Sequence, residues 1–419
     1  MTIWAIAMFW ILLSLAIAQA VTSGRFVRTL KRAPERSATE SPSPRVAVIL
    51  CLRGPDPFLP ACLDAILQQD YPRYDLHIVV DSRDDPTWVV VEQAARRHAA
   101  VPIHMKPLIV RLPTCSLKCS SLVQALSELD DTYGVVALID ADTIAHRTWL
   151  RELVAPLADE RVAAATGNRW YMPAQPSWGS LTRRLWNAAA VVIMHLFHIP
   201  WGGTLALKLS VVRQSGLLHR WTVALCEDTM TYDVLRRLGH RVAFVPSLMM
   251  VNREQCGLGD FFRWVRRQLL TARLYHPAWP LVVAHGLGIS AILASGFILL
   301  ATAAAARNAG AVAWTAAGMA FYWIIMAGLL AAIEGGVRHN MQARGEPAKG
   351  MQVRDWPRTV AAMFLTQGVY AAALASAIFV RIVEWRGIRY RIDGRSKIRM
   401  LEYKPYAGGT NSRSSLESL

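Results

Sequence analysis

Residues 135–142 read VVALIDAD, five apolar residues followed by Asp140 and Asp142 with one alanine between them. An apolar run with no polar position predicts a strand that is buried on both faces, as in a mostly parallel sheet. Ligands of such sheets bind beyond the carboxyl ends of the strands. The segment therefore predicts an α/β domain that carries two carboxylates at its ligand-binding edge.

Short apolar runs and helical stretches alternate on both sides of this segment. Predicted strands and helices follow one another at 46–52, 58–69, 75–80, 87–99, 135–139 and 148–157. Such alternation is typical of a doubly wound α/β fold. We therefore predict one α/β domain over residues 45–277.

The N-terminal segment has the pattern of a membrane anchor. Residues 3–21 form an apolar run of spanning length, with no basic residue before it and five basic residues between Arg25 and Arg36. The positive-inside rule keeps that basic flank in the cytoplasm, whereas a cleaved signal peptide would have its charge in front. We predict an uncleaved anchor over 1–24 and a basic linker, rich in Ser and Pro, over 25–44.

The region 278–383 is apolar again. Its longest apolar runs predict membrane-inserted helices at 279–306, 312–333 and 360–380. Basic residues fill the segment 338–358 and the tail 384–419, and the positive-inside rule would place both in the cytoplasm. If all three helices crossed the membrane, the tail would emerge on the far side. We therefore predict that the last run is re-entrant or interfacial.

The chain carries a formal charge of +16 over 419 residues. No base-reading motif accompanies this charge, and much of it lies beside apolar segments, so we predict anionic lipid headgroups and no nucleic acid as partners. The six cysteines are scattered, as is typical of reduced thiols in a cytoplasmic compartment. We expect an integral protein of a bacterial inner membrane with its α/β domain in the cytoplasm.

Asp140 and Asp142 are the strongest candidates for chemistry. Two carboxylates at this spacing after a strand can face one opening and hold Mg²⁺ or Mn²⁺, which would neutralise a departing diphosphate. Asp81, at the end of the second predicted strand, is placed to accept hydrogen bonds from a base or a ribose. The alternative in each case is a solvated turn or a helix cap.

Further candidates follow along the chain. Glu227 and Asp228 precede a predicted helix at 229–238 and a predicted strand at 241–245, and acids are common at helix starts in any case. A direct displacement also needs a general base, for which we choose Asp228. The basic aromatic segment 261–268 either lies on the bilayer surface or offers guanidinium and indole groups to a diphosphate and a sugar.

Two weaker signals remain. Lys118 precedes a helical run, and Gly203 and Thr204 precede a predicted strand. A solvated lysine and a simple glycine turn are the alternatives to a functional role.

Taken in order, these segments resemble the family-two inverting glycosyltransferases, most closely their membrane-anchored, ceramide glucosyltransferase-like branch. The resemblance covers residues 45–275, and it implies a GT-A nucleotide-diphospho-sugar fold. It rests on six short motifs, which are Val79-Val80-Asp81, Lys118, Asp140-Ala141-Asp142, Gly202-Gly203-Thr204, Glu227-Asp228 and Arg263-Trp264.

The resemblance also implies roles for these residues. The nucleotide sugar would be bound by Asp81, Lys118, Asp140, Arg263 and Gln268. The metal would be held by Asp142 and Asp140, and the catalytic acids would be Asp228, as the base, and Glu227. The acceptor would be bound by Trp264, Gly203 and Thr204.

One position departs from the family pattern. Asp260 stands three positions before Arg263, where the family has Gln or Arg. The departure leaves the diphosphate contact open, and Arg266, Arg267 or Gln268 would replace it from about one helical turn further on.

The expected function is transfer of a hexose, with glucose as the first choice, from a UDP-sugar to a ceramide-like or diacylglycerol-like lipid with inversion. A processive polysaccharide synthase is an alternative, although such enzymes need a channel that typically uses more spans. A non-catalytic membrane subunit that keeps the fold is the other alternative.

Overall fold

The structure is a computed structural model of the chain, and it describes residues 1–32, 43–98, 100–173, 177–348 and 350–406. Half of the predicted linker, residues 33–42, and the last residues of the predicted tail, 407–419, lie outside this part.

Seven strands form one sheet in the order β3-β2-β1-β4-β6-β5-β7. Strand β6 is antiparallel to both of its neighbours, and the other neighbouring pairs are parallel. The strands are β1 (Val46–Leu52), β2 (Tyr74–Val80), β3 (Ile103–Pro107), β4 (Val135–Ile139), β5 (Val162–Tyr171), β6 (Thr204–Lys208) and β7 (Arg241–Asn252). The predicted α/β class with a mostly parallel sheet is confirmed.

Helices cover both faces of this sheet. They are α2 (Leu59–Ile66), α3 (Thr87–Arg97), α4 (Leu117–Ser127), α5 (Trp149–Val154), α6 (Trp178–Leu196), α7 (Leu209–Gln214), α8 (Leu217–Trp221), α9 (Thr231–Arg237) and α10 (Leu258–Tyr275), with a 3-10 turn at Ala155–Ala158. The central strand β4 is buried at every position, which explains why its sequence has no polar residue.

Strand β7 is longer than the predicted strand at 241–245, since it continues to Asn252 through Pro246. Proline lacks the N–H of a ladder and normally ends a strand, but it is tolerated where the strand lies at the edge of a sheet. Strand β7 is such an edge strand, because it is the last strand in the sheet order and pairs only with β5. The extension brings Asn252 to the end of β5, where it pairs with Tyr171.

Four helices are long and apolar enough to cross a membrane, as predicted for such segments. They are α1 (Thr2–Leu30), α11 (Trp279–Ala305), α12 (Ala309–Ala343) and α13 (Trp356–Phe379). Helix α1 runs past the predicted end of the anchor because it packs along α12. Glycines allow this close approach, since a Cβ at Gly318 or Gly336 would lie 3.0 Å from an atom of Phe9 or Leu30.

The membrane helices are fixed to the α/β domain by polar contacts. Arg184 of α6 pairs with Glu334 of α12 at 2.5 Å, and both side chains are nearly buried. At the end of α12, the amide of Asn340 donates to the carbonyl of Pro246 over 3.0 Å. The α/β domain therefore lies at the end of α12 that is remote from residue 309.

Helix α13 contacts the α/β domain at both of its ends. Near its start, the Arg358 guanidinium lies 5.1 Å from the ring centre of Trp178, the first residue of α6. Near its end, Arg273 of α10 donates to the carbonyls of Ala377 and Ile378 over 2.6 Å. The structure thus places both ends of α13 beside the α/β domain, and the interfacial position stays a prediction.

The tail forms a second, antiparallel sheet of β8 (Ile382–Trp385), β9 (Ile388–Gly394) and β10 (Lys397–Glu402). Its inward side chains, among them Ile388 and Ile392, belong to the same hydrophobic core as strand β4 and helix α4. The Tyr390 hydroxyl accepts a hydrogen bond from the Leu117 amide at the start of α4, over 3.1 Å. The tail is thus an integral layer of the α/β domain.

Candidate active site

A polar cavity of about 170 Å³ lies at the carboxyl ends of the central strands. Arg53 follows β1, Asp81 follows β2 and Asp140 follows β4, and all three line this cavity. The position is the one expected for ligands of a doubly wound sheet. The structure therefore brings the acids predicted after β2 and β4 to one opening.

Lys118 is held in the middle of the polar cavity. The Ser116 hydroxyl caps α4 by accepting from the Cys119 amide, and this places Lys118 in the first helical turn. Its Nζ lies 2.7 Å from Asp140 Oδ1 and 2.7 Å from Glu227 Oε1. Burial opposes the charge, but the two carboxylates outweigh it and hold the pKa of Lys118 well above its usual value. The prediction that Lys118 approaches the nucleotide is consistent with this position.

Asp140 and Asp142 differ in their surroundings. Asp140 faces Lys118 and, at 3.5 Å, the guanidinium of Arg169. Despite burial, these cations lower the pKa of Asp140. Asp142 is more deeply buried, and burial raises its pKa to about 6 despite the attraction of Arg169. Its Oδ2 accepts from the Asn252 amide over 3.2 Å, and its Oδ1 has only a 3.5 Å contact from Thr143.

These two carboxylates fit a divalent cation. Carboxylate oxygens are the ligands that Mg²⁺ and Mn²⁺ prefer, and both Asp142 and Asp140 line the cavity. A buried carboxylate whose pKa is raised is also one whose charge a cation would stabilise. Asp142 and Asp140 are therefore the residues that would hold such an ion.

Glu227 and Asp228 line the polar cavity but have different partners. Glu227 is 1% exposed and pairs with Lys118, and burial raises its pKa to about 7. The Asp228 Oδ2 accepts from the Gly202 amide over 2.9 Å, and its Oδ1 accepts from the amide and the hydroxyl of Thr229. These bonds fix the Asp228 carboxylate while leaving it at the cavity wall.

Helix α10 presents Arg267 and Gln268 to the polar cavity, and not Arg263. Asp260 caps this helix by accepting from the Gly257 amide, and it also pairs with Arg263, whose side chain is 63% exposed. Asp260, the residue that departs from the family pattern, thus serves as a helix cap. Arg263 lies one turn, about 6 Å of helical rise, before Arg267. At that height on the helix Arg263 does not line the cavity.

Asp81 lies in the cavity wall, although it is 2% exposed. Its carboxylate pairs with Arg53, and it accepts from the Tyr403 hydroxyl of the tail over 3.1 Å. Arg111 also lies near, with its Nε 3.5 Å from Asp81 Oδ1. Any nucleoside that binds to Asp81 would therefore contact residues of β1 and of the tail as well.

Two of the predicted acceptor residues lie outside the cavities. Thr204 is fully buried, and its Oγ1 accepts from the Trp149 indole over 2.7 Å. Gly203 lies behind Asp140, because a Cβ there would be 2.7 Å from Asp140 Oδ2 and 2.1 Å from the Trp201 ring. Neither residue lines either of the two cavities described here.

A second, mostly apolar cavity of about 320 Å³ lies between the α/β domain and the membrane helices. It is lined by α1, α6, α10, α11, α12 and α13, and it includes the predicted acceptor residue Trp264. Trp264 is 5% exposed, and its indole N–H has no partner among the described residues. The only Asp, Glu, Lys or Arg in the described lining are Asp228 and Arg169.

The polar and apolar cavities adjoin. Five residues line both of them, and these are Arg169, Trp201, Asp228, Gln268 and Thr271. Asp228, the predicted base, is therefore the one carboxylate among the described residues that lines both the polar cavity and the apolar cavity.

Three cationic residues of the site have no counterpart in the predictions, namely Arg53, Arg169 and Arg386. Arg53 follows a strand end, as Asp81 and Asp140 do, so the same reasoning from strand ends would have found it. Arg169 lies inside a strand and Arg386 in the tail, where no local pattern points to the site.

Comparison with known proteins gives the same family as the motifs. A ceramide glucosyltransferase of Pyricularia oryzae is 31% identical over 104 residues, which are 23% of this chain and 20% of that protein, so the match spans about a fifth of the relative's length. Among solved structures, a Pyrobaculum calidifontis mannosyltransferase in complex with GDP-mannose and Mn²⁺ is similar, with 19% identity, coverage of 90% of this chain and 99% of that one, and a TM-score of 0.49.

A glucosyl-3-phosphoglycerate synthase of Mycobacterium tuberculosis, in complex with Mn²⁺ and UDP-glucose, has 14% identity over 54% of this chain and 77% of that one, with a TM-score of 0.37. The model of glycosyl transferase family 21 matches residues 8–398. The predicted resemblance to ceramide glucosyltransferase-like glycosyltransferases is confirmed. The chain belongs to glycosyl transferase family 21.

Proposed function

We propose that this protein transfers a hexose from a UDP-sugar to the hydroxyl group of an uncharged membrane lipid, with inversion at the anomeric carbon. The observation that carries the proposal is the meeting of the polar and apolar cavities at Asp228. Glucose as the sugar and a ceramide-like lipid as the acceptor are supported by the activity that names the curated relative.

The donor would occupy the polar cavity. Asp81 and Arg267 both line it, so a nucleoside would bind at the former and a diphosphate near the latter. Asp142 and Asp140 would hold Mg²⁺ or Mn²⁺, which supplies charge neutralisation for the leaving diphosphate. Lys118, fixed by Asp140 and Glu227, adds a further positive charge next to that position.

Asp228 would act as the general base. Hydrogen bonds from Gly202 and Thr229 orient its carboxylate, and its place between the cavities lets it accept a proton from an acceptor hydroxyl. That oxygen then attacks the anomeric carbon on the face opposite the diphosphate, which breaks the bond to the leaving oxygen and inverts the configuration.

The apolar cavity is suited to an uncharged lipid. A phosphorylated lipid would need cationic partners, and the single cation of the described lining, Arg169, already faces Asp140 and Asp142. An uncharged polar group, the Trp264 indole N–H, has no partner among the described residues and could donate to a hydroxyl or amide headgroup. A ceramide-like or diacylglycerol-like alcohol fits this lining.

The basic segments support a proposal for the orientation in the membrane. Residues 338–358 and the tail adjoin the α/β domain, and positive flanks remain in the cytoplasm. We propose that α1, α11 and α12 cross the membrane, that α13 lies along its inner surface among anionic headgroups, and that transfer takes place on the cytoplasmic face.

The test is a transfer assay with the full chain in lipid nanodiscs, radiolabelled UDP-glucose, Mn²⁺ or Mg²⁺, and ceramide or diacylglycerol. We expect label in a discrete glycolipid, and loss of that label in Asp142→Ala. Label in a polymer would instead identify a polysaccharide synthase. Binding of nucleotide sugars without transfer to any acceptor would identify a non-catalytic subunit and overturn the proposal.

The apolar cavity is tested in the same assay by a matched pair of variants. Ala190 lines the cavity, whereas Ala304 is an exposed residue of α11 that does not. Ala190→Trp fills the cavity and is expected to raise the KM for the lipid at least about tenfold while UDP binding is kept. Ala304→Trp adds the same side chain outside the cavity and should leave the KM for the lipid and the UDP affinity unchanged. Equal KM values would show that the lipid binds elsewhere.

Binding of Mn²⁺ should depend on pH through Asp142. Its pKa of about 6 means that the carboxyl is mostly protonated below pH 6, where it cannot ligate a metal, and ionised above it. We expect an apparent Mn²⁺ affinity about tenfold lower at pH 5 than at pH 8, measured by titration calorimetry on the folded protein. Asp142→Asn should bind weakly with no step near pH 6, and a native affinity that is flat from pH 5 to 8 would contradict this assignment.

A further inference from the structure

The tail reaches the polar cavity through a two-residue hairpin turn. Strands β8 and β9 are joined by Arg386 and Gly387, whose φ angles are 50° and 74°, between the paired residues Trp385 and Ile388. Positive φ at both central positions defines a type I′ turn, in which Asn-Gly is the favoured sequence. A bulky arginine is disfavoured in this conformation, so something other than turn geometry accounts for its presence.

The turn is anchored from outside the tail. The Arg386 carbonyl accepts from Arg53 Nε over 2.9 Å. The side chain of Arg386 donates from Nη2 to Oδ2 of the buried Asp56 over 3.0 Å. A guanidinium has five N–H donors, and the described residues engage it only at Asp56. Arg386 lines the polar cavity, so its remaining donors are available there.

Three arginines, Arg169, Arg267 and Arg386, line the cavity around this turn. The Arg267 guanidinium lies 4.7 Å from the ring centre of Trp385, next to the turn. Burial, together with the like charges of Arg169 and Arg386, lowers the pKa of Arg267 to about 10. An anion with several oxygens would relieve this repulsion.

We infer that Arg386 is a ligand of the donor diphosphate, delivered into the polar cavity by the strained turn of the tail hairpin. The inference rests on the proposed function, since it names a further residue for the same donor site. Asp56 and Arg53 hold the turn in register, and the free N–H groups of Arg386 complement those of Arg267 on the phosphate oxygens.

The turn itself offers a sharp test. Arg386→Asn creates the favoured Asn-Gly pair, which offsets part of the loss of the ion pair with Asp56, so the fold should be kept while the guanidinium is lost. The melting temperature of the variant checks this. With Mn²⁺ present, calorimetry on the full chain in nanodiscs should show that UDP binds at least about tenfold more weakly to this variant. Uridine, which lacks the diphosphate, should bind as it does to the native protein.

Two further variants complete the comparison. Arg389→Asn removes the same charge from an exposed position of β9 and should leave UDP affinity unchanged. Arg386→Lys keeps the charge without the planar guanidinium and should recover part of the affinity. Native UDP affinity in Arg386→Asn, with the control also native, would overturn the inference and leave the proposed function standing. A native protein that binds no UDP would overturn both.

Discussion

Asp228→Asn is expected to lower the turnover of lipid glycosylation by a factor of about 10² to 10⁴, the contribution typical of a general base. The asparagine side chain has nearly the same shape, and its oxygen can still accept from Thr229. It cannot accept a proton from the acceptor hydroxyl. Initial rates at saturating UDP-glucose and lipid measure the effect, because the loss should appear in kcat.

Two controls separate catalysis from folding in this variant. UDP affinity should remain within about threefold of the native value, because the donor cations do not contact Asp228 directly. Asp131→Asn makes the same chemical change at a side chain that is 94% exposed, and its turnover should stay native. A folded Asp228→Asn protein with near-native turnover would exclude this residue as the base.

Gly202→Ala is expected to reduce turnover by about 10²-fold or more, although the substitution adds only one methyl group. A Cβ at this position would lie 2.0 Å from Glu227 Oε1 and 3.3 Å from Lys118 Nζ. Either the Lys118–Glu227 pair must separate, or the backbone must move and take with it the amide that orients Asp228. Turnover and UDP affinity should both fall, since the pair borders the donor site.

The matched control for this variant is Gly259→Ala in the first turn of α10. Its added Cβ would meet only the flexible end of Arg263, at an ordinary 3.5 Å. Turnover should be native, and thermal stability unchanged or slightly raised, because alanine is the better helix former. If a folded Gly202→Ala protein retained more than about a third of native turnover, the close packing at Gly202 would not matter for catalysis.

The parts of this protein that the sequence predicts best are those with a single physical cause. Strands β1 and β4 begin and end where predicted, because central strands of a parallel sheet are buried on both faces and their apolar runs have sharp ends. Asp81 and Asp140 follow from the same rule, since the end of a buried strand also marks the edge where ligands bind.

Roles that depend on long-range packing are harder to predict from sequence. Arg263 and Arg267 differ by one turn of the same helix, and only the height of α10 against the sheet decides which one meets the cavity. Thr204 belongs to a motif whose position was predicted, but its side chain turns to Trp149. The tail residue Arg386 is more than 240 positions away from Asp140 along the chain; no local pattern links them.

The shared wall at Asp228 has a kinetic consequence under the proposed function. One substrate arrives through water and the other by diffusion within the plane of the bilayer, so neither has to leave the medium in which it dissolves. The concentration that governs the acceptor half of the reaction is then its mole fraction in the membrane. Diluting the acceptor with inert lipid would slow the enzyme, whereas doubling the volume of buffer at constant UDP-sugar concentration would not.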